Sequence, residues 1–169
     1  MEKGTVYFFT GLAGAGKTTI GNLFYEELRK KYPQTVLADG HKYREDSIPK
    51  EKRDYSLEAR KIGAQNAFKM LKSLTDMGYT CVFCSISMFA DIRKWARENI
   101  DNYVEIYIKA DWEVLVKRNQ CGLYDPPQKN VVGIDLPWDE PTSADIVIEN
   151  NGQETPEKIV NRLVEKFLK

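Results

Sequence analysis

Nothing in this chain is in marked excess, and several things are missing. Lysine plus arginine number 25 and aspartate plus glutamate also number 25. The broad basic surface that a long nucleic acid or an anionic membrane requires is therefore absent, and a small partner is expected. No apolar stretch approaches the length of a membrane span, and Met1-Glu2-Lys3 leads into the first apolar run without the hydrophobic region of a signal peptide. The expectation is a cytoplasmic protein. Internal repeats and low-complexity linkers are lacking too. The cysteines number three, an odd count, and two of them, Cys81 and Cys84, lie within the apolar run Tyr79 to Ile86. Cys81-Val82-Phe83-Cys84 has the spacing of a redox or half-zinc site, but residues three apart on a strand face opposite sides. Reduced core thiols are expected. With 169 residues, 42% of them hydrophobic, the chain can bury one sizeable core and has no room for a second full domain. Residues 1–169 read as a single domain.

What is present begins at Gly11. Gly11-Leu12-Ala13-Gly14-Ala15-Gly16-Lys17-Thr18 has the spacing of a phosphate-binding loop. The apolar run Val6 to Phe9 enters it as a strand, and Thr19-Ile20-Gly21-Asn22-Leu23-Phe24 leaves it as an amphipathic helix. Glycines at both ends let consecutive N–H groups converge on an anion, at the positive end of the helix dipole. Lys17 is positioned to reach the β- and γ-phosphates and the Thr18 hydroxyl to hold Mg²⁺. A nucleoside triphosphate is the expected ligand, with Gly11, Ala13, Gly14, Ala15, Gly16, Lys17, Thr18 and Thr19 around its phosphates.

The remainder alternates strand and helix. Strands are expected at Thr35 to Asp39, Tyr79 to Ser85, Tyr103 to Lys109 and Ala144 to Glu149. Between them, Ile20, Leu23, Phe24 and Leu28 mark the loop helix. Ile62, Met70, Leu71, Leu74 and Met77 mark a long helix from about Ser56 to Gly78. Further helices run from Met88 to Asn99, from a cap at Asp111 to about Gln120, and onward from Thr155-Pro156-Glu157, with Ile159, Val160, Leu163, Val164, Phe167 and Leu168 as its core stripe. This alternation implies an α/β fold, a central five-stranded parallel sheet between two helical layers, with ligands at the carboxyl ends of the strands. Asp39 ends the second strand there. A carboxylate beside the phosphate loop can hold Mg²⁺, directly or through water, or accept a proton from an attacking hydroxyl. The third strand ends in Ser85 and Ser87, so the acidic residue common at that place in phosphate-loop proteins is absent. Both Asp39 and His41, the only histidine, are candidates for the base.

Asp39-Gly40, Arg60-Lys61-Ile62-Gly63, Ser85-Ile86-Ser87, Arg118 with Gly122-Leu123-Tyr124, and Gly133-Ile134-Asp135 before Pro141 follow the phosphate loop in an order that resembles adenylylsulfate kinases. The likeness runs from about Val6 to Ile148. It implies transfer of the γ-phosphoryl group of ATP to the 3′-hydroxyl of a nucleotide's ribose, a homodimer, and a lid at about 121–141. It further implies that Arg118 packs on the ATP adenine and that Arg44 and Arg60 grip the anionic acceptor. Ser87 would lie beside that acceptor, and Lys129, Val131 and Ile134 would face it from the lid.

The chain departs from the family pattern on the acceptor side. Asp39-Gly40-His41-Lys42-Tyr43-Arg44 carries His41 where a second acidic residue is usual. Tyr55 and Glu58 replace an arginine and an asparagine expected to contact the acceptor, and Val131 replaces an aromatic residue that stacks on its adenine. Asp125-Pro126-Pro127 stands in for lysines, and the lid is about four residues shorter. A lost stacking partner removes about 1 to 3 kcal/mol of base binding. A changed acceptor is the expectation, and cytidine diphosphoramidate, the acceptor of a relative in capsule biosynthesis, is one that fits. Adenylylsulfate itself and a catalytically silent nucleotide-binding module are the alternatives.

Overall fold

The centre of the molecule is set by β1, Val6–Thr10, in which every residue is buried. A strand buried on both faces belongs in the middle of a parallel sheet. The computed structural model, which describes residues 2–40, 42 and 54–168, places it there. The strand order is β2-β3-β1-β4-β5, with β2 at Thr35–Asp39, β3 at Thr80–Cys84, β4 at Tyr103–Lys109 and β5 at Ile146–Glu149. Every pairing is parallel. Phe9 and Asp39 both lie level with Cys84, so the carboxyl ends of β1, β2 and β3 finish on one line.

Alternation along β1 assigns one helical layer to each face. Phe9 joins Ile20, Phe24 and Leu28 of α1 (Lys17–Lys31), Leu115 of α4 (Trp112–Arg118) and Ile159, Val160 and Leu163 of α5 (Pro156–Phe167). Phe8 faces the other way, onto Phe68 and Leu71 of α2 (Leu57–Asp76) and Ile92 and Ala96 of α3 (Ala90–Asn99). The Phe8 and Phe68 rings meet edge to face at 5.1 Å, a geometry that adds about 0.5–1.5 kcal/mol beyond area burial. The three-layer α/β sandwich is the expected one. Cys81 lies in the α2 and α3 cluster and Cys84 in the α1 cluster, on opposite faces, and burial pushes their thiols up to about 11 and about 12.

Several local expectations need correction. Ile62, Met70 and Met77 lie on the exposed side of α2, which turns Phe68, Leu71 and Thr75 inward. Helix α3 starts at Ala90, two residues after Met88, because Ser87 takes a left-handed backbone (φ 42°) and the Asp139 carboxylate accepts from Ala90 N–H at 3.0 Å. Asp111 occupies the cap position of α4 without capping it through its side chain. Its carboxylate accepts instead from the Asn151 amide at 2.8 Å. α4 ends at Arg118, ahead of Gln120, where Asn119 turns left-handed.

Candidate active site

The loop from Gly11 to Gly16 joins β1 to α1, and two of its glycines are required by geometry. Gly11 has φ 141°, and a Cβ there would come within 2.2 Å of the Ile108 carbonyl oxygen of β4. Gly16 caps α1 in the left-handed region, with φ 108° and ψ 11°. Such a conformation is open to glycine at no steric cost. The turn brings Lys17 and Thr18 to the first residues of α1, beside the end of β2.

There the Thr18 hydroxyl donates to Asp39 Oδ2 at 2.8 Å, while Asp39 Oδ1 accepts from Lys42 N–H at 3.1 Å. Lys17 Nζ donates to the Leu12 carbonyl oxygen at 2.9 Å. Burial pushes the Lys17 ammonium down to about 8, with the Cys84 and Asp39 charges pulling the other way. Sequence separation between Thr18 and Asp39 is closed by the level ends of β1, β2 and β3. Hydroxyl and carboxylate oxygens side by side form a hard donor pair of the kind Mg²⁺ takes. Among the described residues no group of three or more His, Cys, Asp or Glu side chains could hold a metal.

Residues assigned to the acceptor divide. His41 and Arg44 lie outside the described residues. Arg60 donates through Nε to the Tyr55 carbonyl at 2.9 Å and through Nη2 to the Asn130 carbonyl at 2.8 Å, with its guanidinium 5.6 Å from the centre of the Tyr55 ring. It thus ties the start of α2 to the 121–141 segment, next to Val131, which is buried. Asp135 holds the turn between them by accepting from the Asn130 and Val131 N–H groups, each at 2.7 Å. Those bonds keep the Asp135 carboxyl below the usual carboxylate range. Glu58 is exposed in the first turn of α2, where a carboxylate meets the positive end of the helix. Lys129 is exposed and Ile134 half-buried against the α1-side core. Ser87 is buried, and its hydroxyl has no hydrogen-bond partner among the described residues.

On the nucleotide side, the Arg118 guanidinium donates to the Gly14 carbonyl at 2.9 Å and the Asn150 carbonyl at 2.8 Å. These bonds turn its edge to the phosphate loop.

The family described as adenylylsulphate kinase matches residues 3–149. The chain belongs to the adenylylsulphate kinase family. It is 38% identical over 166 residues to the cytidine diphosphoramidate kinase of Campylobacter jejuni subsp. jejuni serotype O:2, covering 96% of this chain and 95% of that one. It is 31% identical over 169 residues to the adenylyl-sulfate kinase of Clostridium acetobutylicum, covering 97% and 83%. Among solved structures, the Mycobacterium tuberculosis APS kinase in complex with AMPPNP and APS superimposes with a TM-score of 0.87 at 20% identity, over the full length of both chains. That likeness shows a shared fold.

In this adenylylsulphate kinase family member, three site-shaping residues escape sequence reasoning. Asn150 follows β5 in an Asn-Asn-Gly stretch that reads as a plain turn, yet its amide donates to the Ala15 carbonyl at 2.8 Å. Tyr124 reads as part of a motif, and its hydroxyl donates to the Ala13 carbonyl at 2.6 Å. Arg93 of α3, which the sequence does not single out, is buried beside Glu105 at 3.4 Å. It donates to the carbonyls of Ser87 and Asp139 at 2.6 and 2.5 Å. No local pattern announces these contacts, because those of Asn150 and Tyr124 reach more than a hundred residues along the chain and Arg93 joins separate elements.

Proposed function

We propose that this kinase transfers the γ-phosphoryl group of ATP to the ribose 3′-hydroxyl of a nucleotide other than adenylylsulfate, with cytidine diphosphoramidate as the candidate acceptor. The carrying observation is that Lys17, Thr18 and Asp39 are intact, with Thr18 bonded to Asp39 at 2.8 Å, while the sequence departs from the family pattern at Tyr55, Glu58 and Val131. Identity to the Campylobacter cytidine diphosphoramidate kinase along nearly the whole chain supports the same reading. Residues 1–169 act as one kinase domain in the cytoplasm, as a homodimer, with 121–141 as the lid.

The loop N–H groups and Lys17 bind and orient the triphosphate, and Lys17 meets the charge that develops on the transferring group. Thr18 and Asp39 would hold Mg²⁺, which supplies charge neutralisation at the phosphates when bound. The acceptor 3′-hydroxyl loses its proton as its oxygen bonds to the γ-phosphorus and ADP departs. Asp39 is the preferred base, because a loose transition state demands position more than base strength. Arg44 and Arg60 hold the acceptor phosphates, Tyr55, Glu58 and Val131 select its base, and Ser87, Lys129 and Ile134 complete the pocket.

The test is transfer from γ-labelled ATP to a panel of 5′-diphospho nucleotide derivatives, with the site of the new phosphate read by phosphorus NMR. Preference for a cytidine derivative labelled at the 3′ position is expected. Turnover of adenylylsulfate with kcat/KM inside the usual enzymatic range of about 10⁴–10⁸ M⁻¹s⁻¹ would return the chain to the adenylyl-sulfate kinase activity named for the Clostridium relative.

A further inference from the structure

Carbonyl oxygens of the phosphate loop are held by side chains. Leu12 O accepts from the Lys17 ammonium at 2.9 Å and Ala13 O from the Tyr124 hydroxyl at 2.6 Å. Gly14 O accepts from Arg118 at 2.9 Å, and Ala15 O from the Asn150 amide at 2.8 Å and Arg118 at 3.4 Å. Each carbonyl from Leu12 to Ala15 is therefore gripped by a side chain. Apart from Lys17, the gripping groups come from the 121–141 segment, the end of α4 and the residue after β5. A peptide unit whose oxygen is fixed on one side presents its N–H to the other, which is how successive amides form an anion-binding nest. Donors fixed beforehand stabilise an anion more than donors that must first be turned.

We infer that Tyr124 and Asn150, together with Arg118, are positioning residues for the phosphate loop, and that they set its affinity for the polyphosphate of the nucleotide. The inference rests on the reading of this loop as the ATP site. The fit between loop and holders is close: a Cβ on Gly16 would come 2.5 Å from Asn150 Nδ2, so only glycine lets the amide lie flat on the turn. Tyr124 is buried, and Trp112 braces its ring edge-on at 5.4 Å. Burial also raises the Tyr124 pKa, which keeps the hydroxyl a donor at neutral pH. Because Tyr124 belongs to the lid, the position of the lid and the shape of the loop are coupled.

Tyr124→Phe deletes one hydroxyl, and Asn150→Leu removes the amide at nearly constant volume. Steady-state kinetics with ATP and the acceptor, competition by inorganic tripolyphosphate, and thermal melting are measured on the full chain. In each variant KM for ATP and the inhibition constant of tripolyphosphate rise together by about tenfold, the change that about 1.4 kcal/mol of lost interaction produces. KM for the acceptor stays within about twofold, a split that loss of general packing would not give. Tripolyphosphate and ATP constants within about twofold of wild type in a folded variant would overturn the inference. Parallel losses for both substrates with a lowered melting point would overturn it as well. Either variant decides alone if the other fails to fold. A wild-type protein that binds neither ATP nor tripolyphosphate removes the ATP-site reading and this inference together, whereas normal wild-type binding with unaltered variants removes the inference only.

Discussion

The Lys17 ammonium sits where its own charge is poorly solvated, held at about 8 by burial with the Leu12 carbonyl as its acceptor. A phosphate brought beside it favours the charged form and raises that value. The sign follows directly. Below pH 8 the lysine is protonated before and after binding, whereas between about 8 and the ordinary 10.5 it gains a proton as ATP arrives. The contribution of Lys17 to ATP affinity is therefore level well below pH 8 and falls as pH rises above it. Calorimetry at pH 9 in buffers of different ionisation enthalpy detects this as net proton uptake, and uptake of no protons counts against the contact. Lys17→Ala is expected to lower kcat by on the order of 10²-fold or more with the fold intact; turnover within a few-fold of wild type would refute the role. Asp39 and Thr18 already share a hydrogen bond, so Asp39→Asn weakens both candidate tasks of the carboxylate and leaves little activity. His41→Ala is expected to act mainly on acceptor KM. Equal, mild effects of the two substitutions in steady-state assays would mean that the acceptor has been assigned to the wrong edge of the loop.

Between elements, the packing of α1 on the sheet turns on a single close approach. A Cβ on Gly21 would lie 2.3 Å from Cys84 Sγ, and that sulfur also contacts the Lys17 carbonyl at 3.6 Å. Gly21→Ala is expected to cost about 1–3 kcal/mol through overpacking. Combining it with Cys84→Ala should recover much of that loss, because the added methyl occupies the vacated space. Urea unfolding of the two single variants and the double gives the coupling directly, and strictly additive values would contradict the contact. Elements were also where sequence reasoning succeeded best and failed most visibly. The central strands β1 and β3 could be read because burial on both faces leaves unbroken apolar runs such as Val6–Phe9, and β2 and β4 fall at the expected residues. Helix α2 could be found but not oriented: Ile62, Met70 and Met77 share helical spacing with Leu71 and Leu74, and hydrophobicity alone cannot say which stripe faces the sheet. The site divides by the same logic. Gly11 to Thr18 is a local pattern and was legible, and Asp39 was legible from its place at a strand end. Asn150 and Tyr124 act on residues far away in the chain, and Arg93 on other elements, where no local period carries the information.

Across the molecule, Arg93 joins several separate parts. It extends from α3, pairs with Glu105 of β4, and donates to Ser87 after β3 and to Asp139 at the end of the 121–141 segment. Its side chain and that of Glu105 are 6% and 3% exposed. Removing one member of a buried pair costs about 3–5 kcal/mol when the other is left alone, an upper bound here because Arg97 at 3.4 Å and the Tyr103 hydroxyl at 3.3 Å stay beside Glu105. Arg93→Ala should lower stability to denaturant by up to that amount. Under the proposed function it should also raise KM for the acceptor more than KM for ATP, because Arg93 holds the carbonyl of Ser87, a residue assigned to the acceptor pocket in that proposal. A stable variant with unchanged acceptor kinetics would show the network to be incidental.

The grips on the phosphate loop also have a bearing on how the protein comes to exist. Tyr124, Arg118 and Asn150 lie 111, 104 and 135 residues along the chain from the carbonyls they hold. Contacts of such separation form late, since the intervening chain must be ordered before they can close. The loop is made near the beginning of synthesis but obtains its final shape only after β5 has joined the edge of the sheet. During refolding, helical signal should therefore return before nucleotide binding does, and a nascent chain halted ahead of Asn150 should hold ATP weakly even with its entire phosphate-loop sequence exposed.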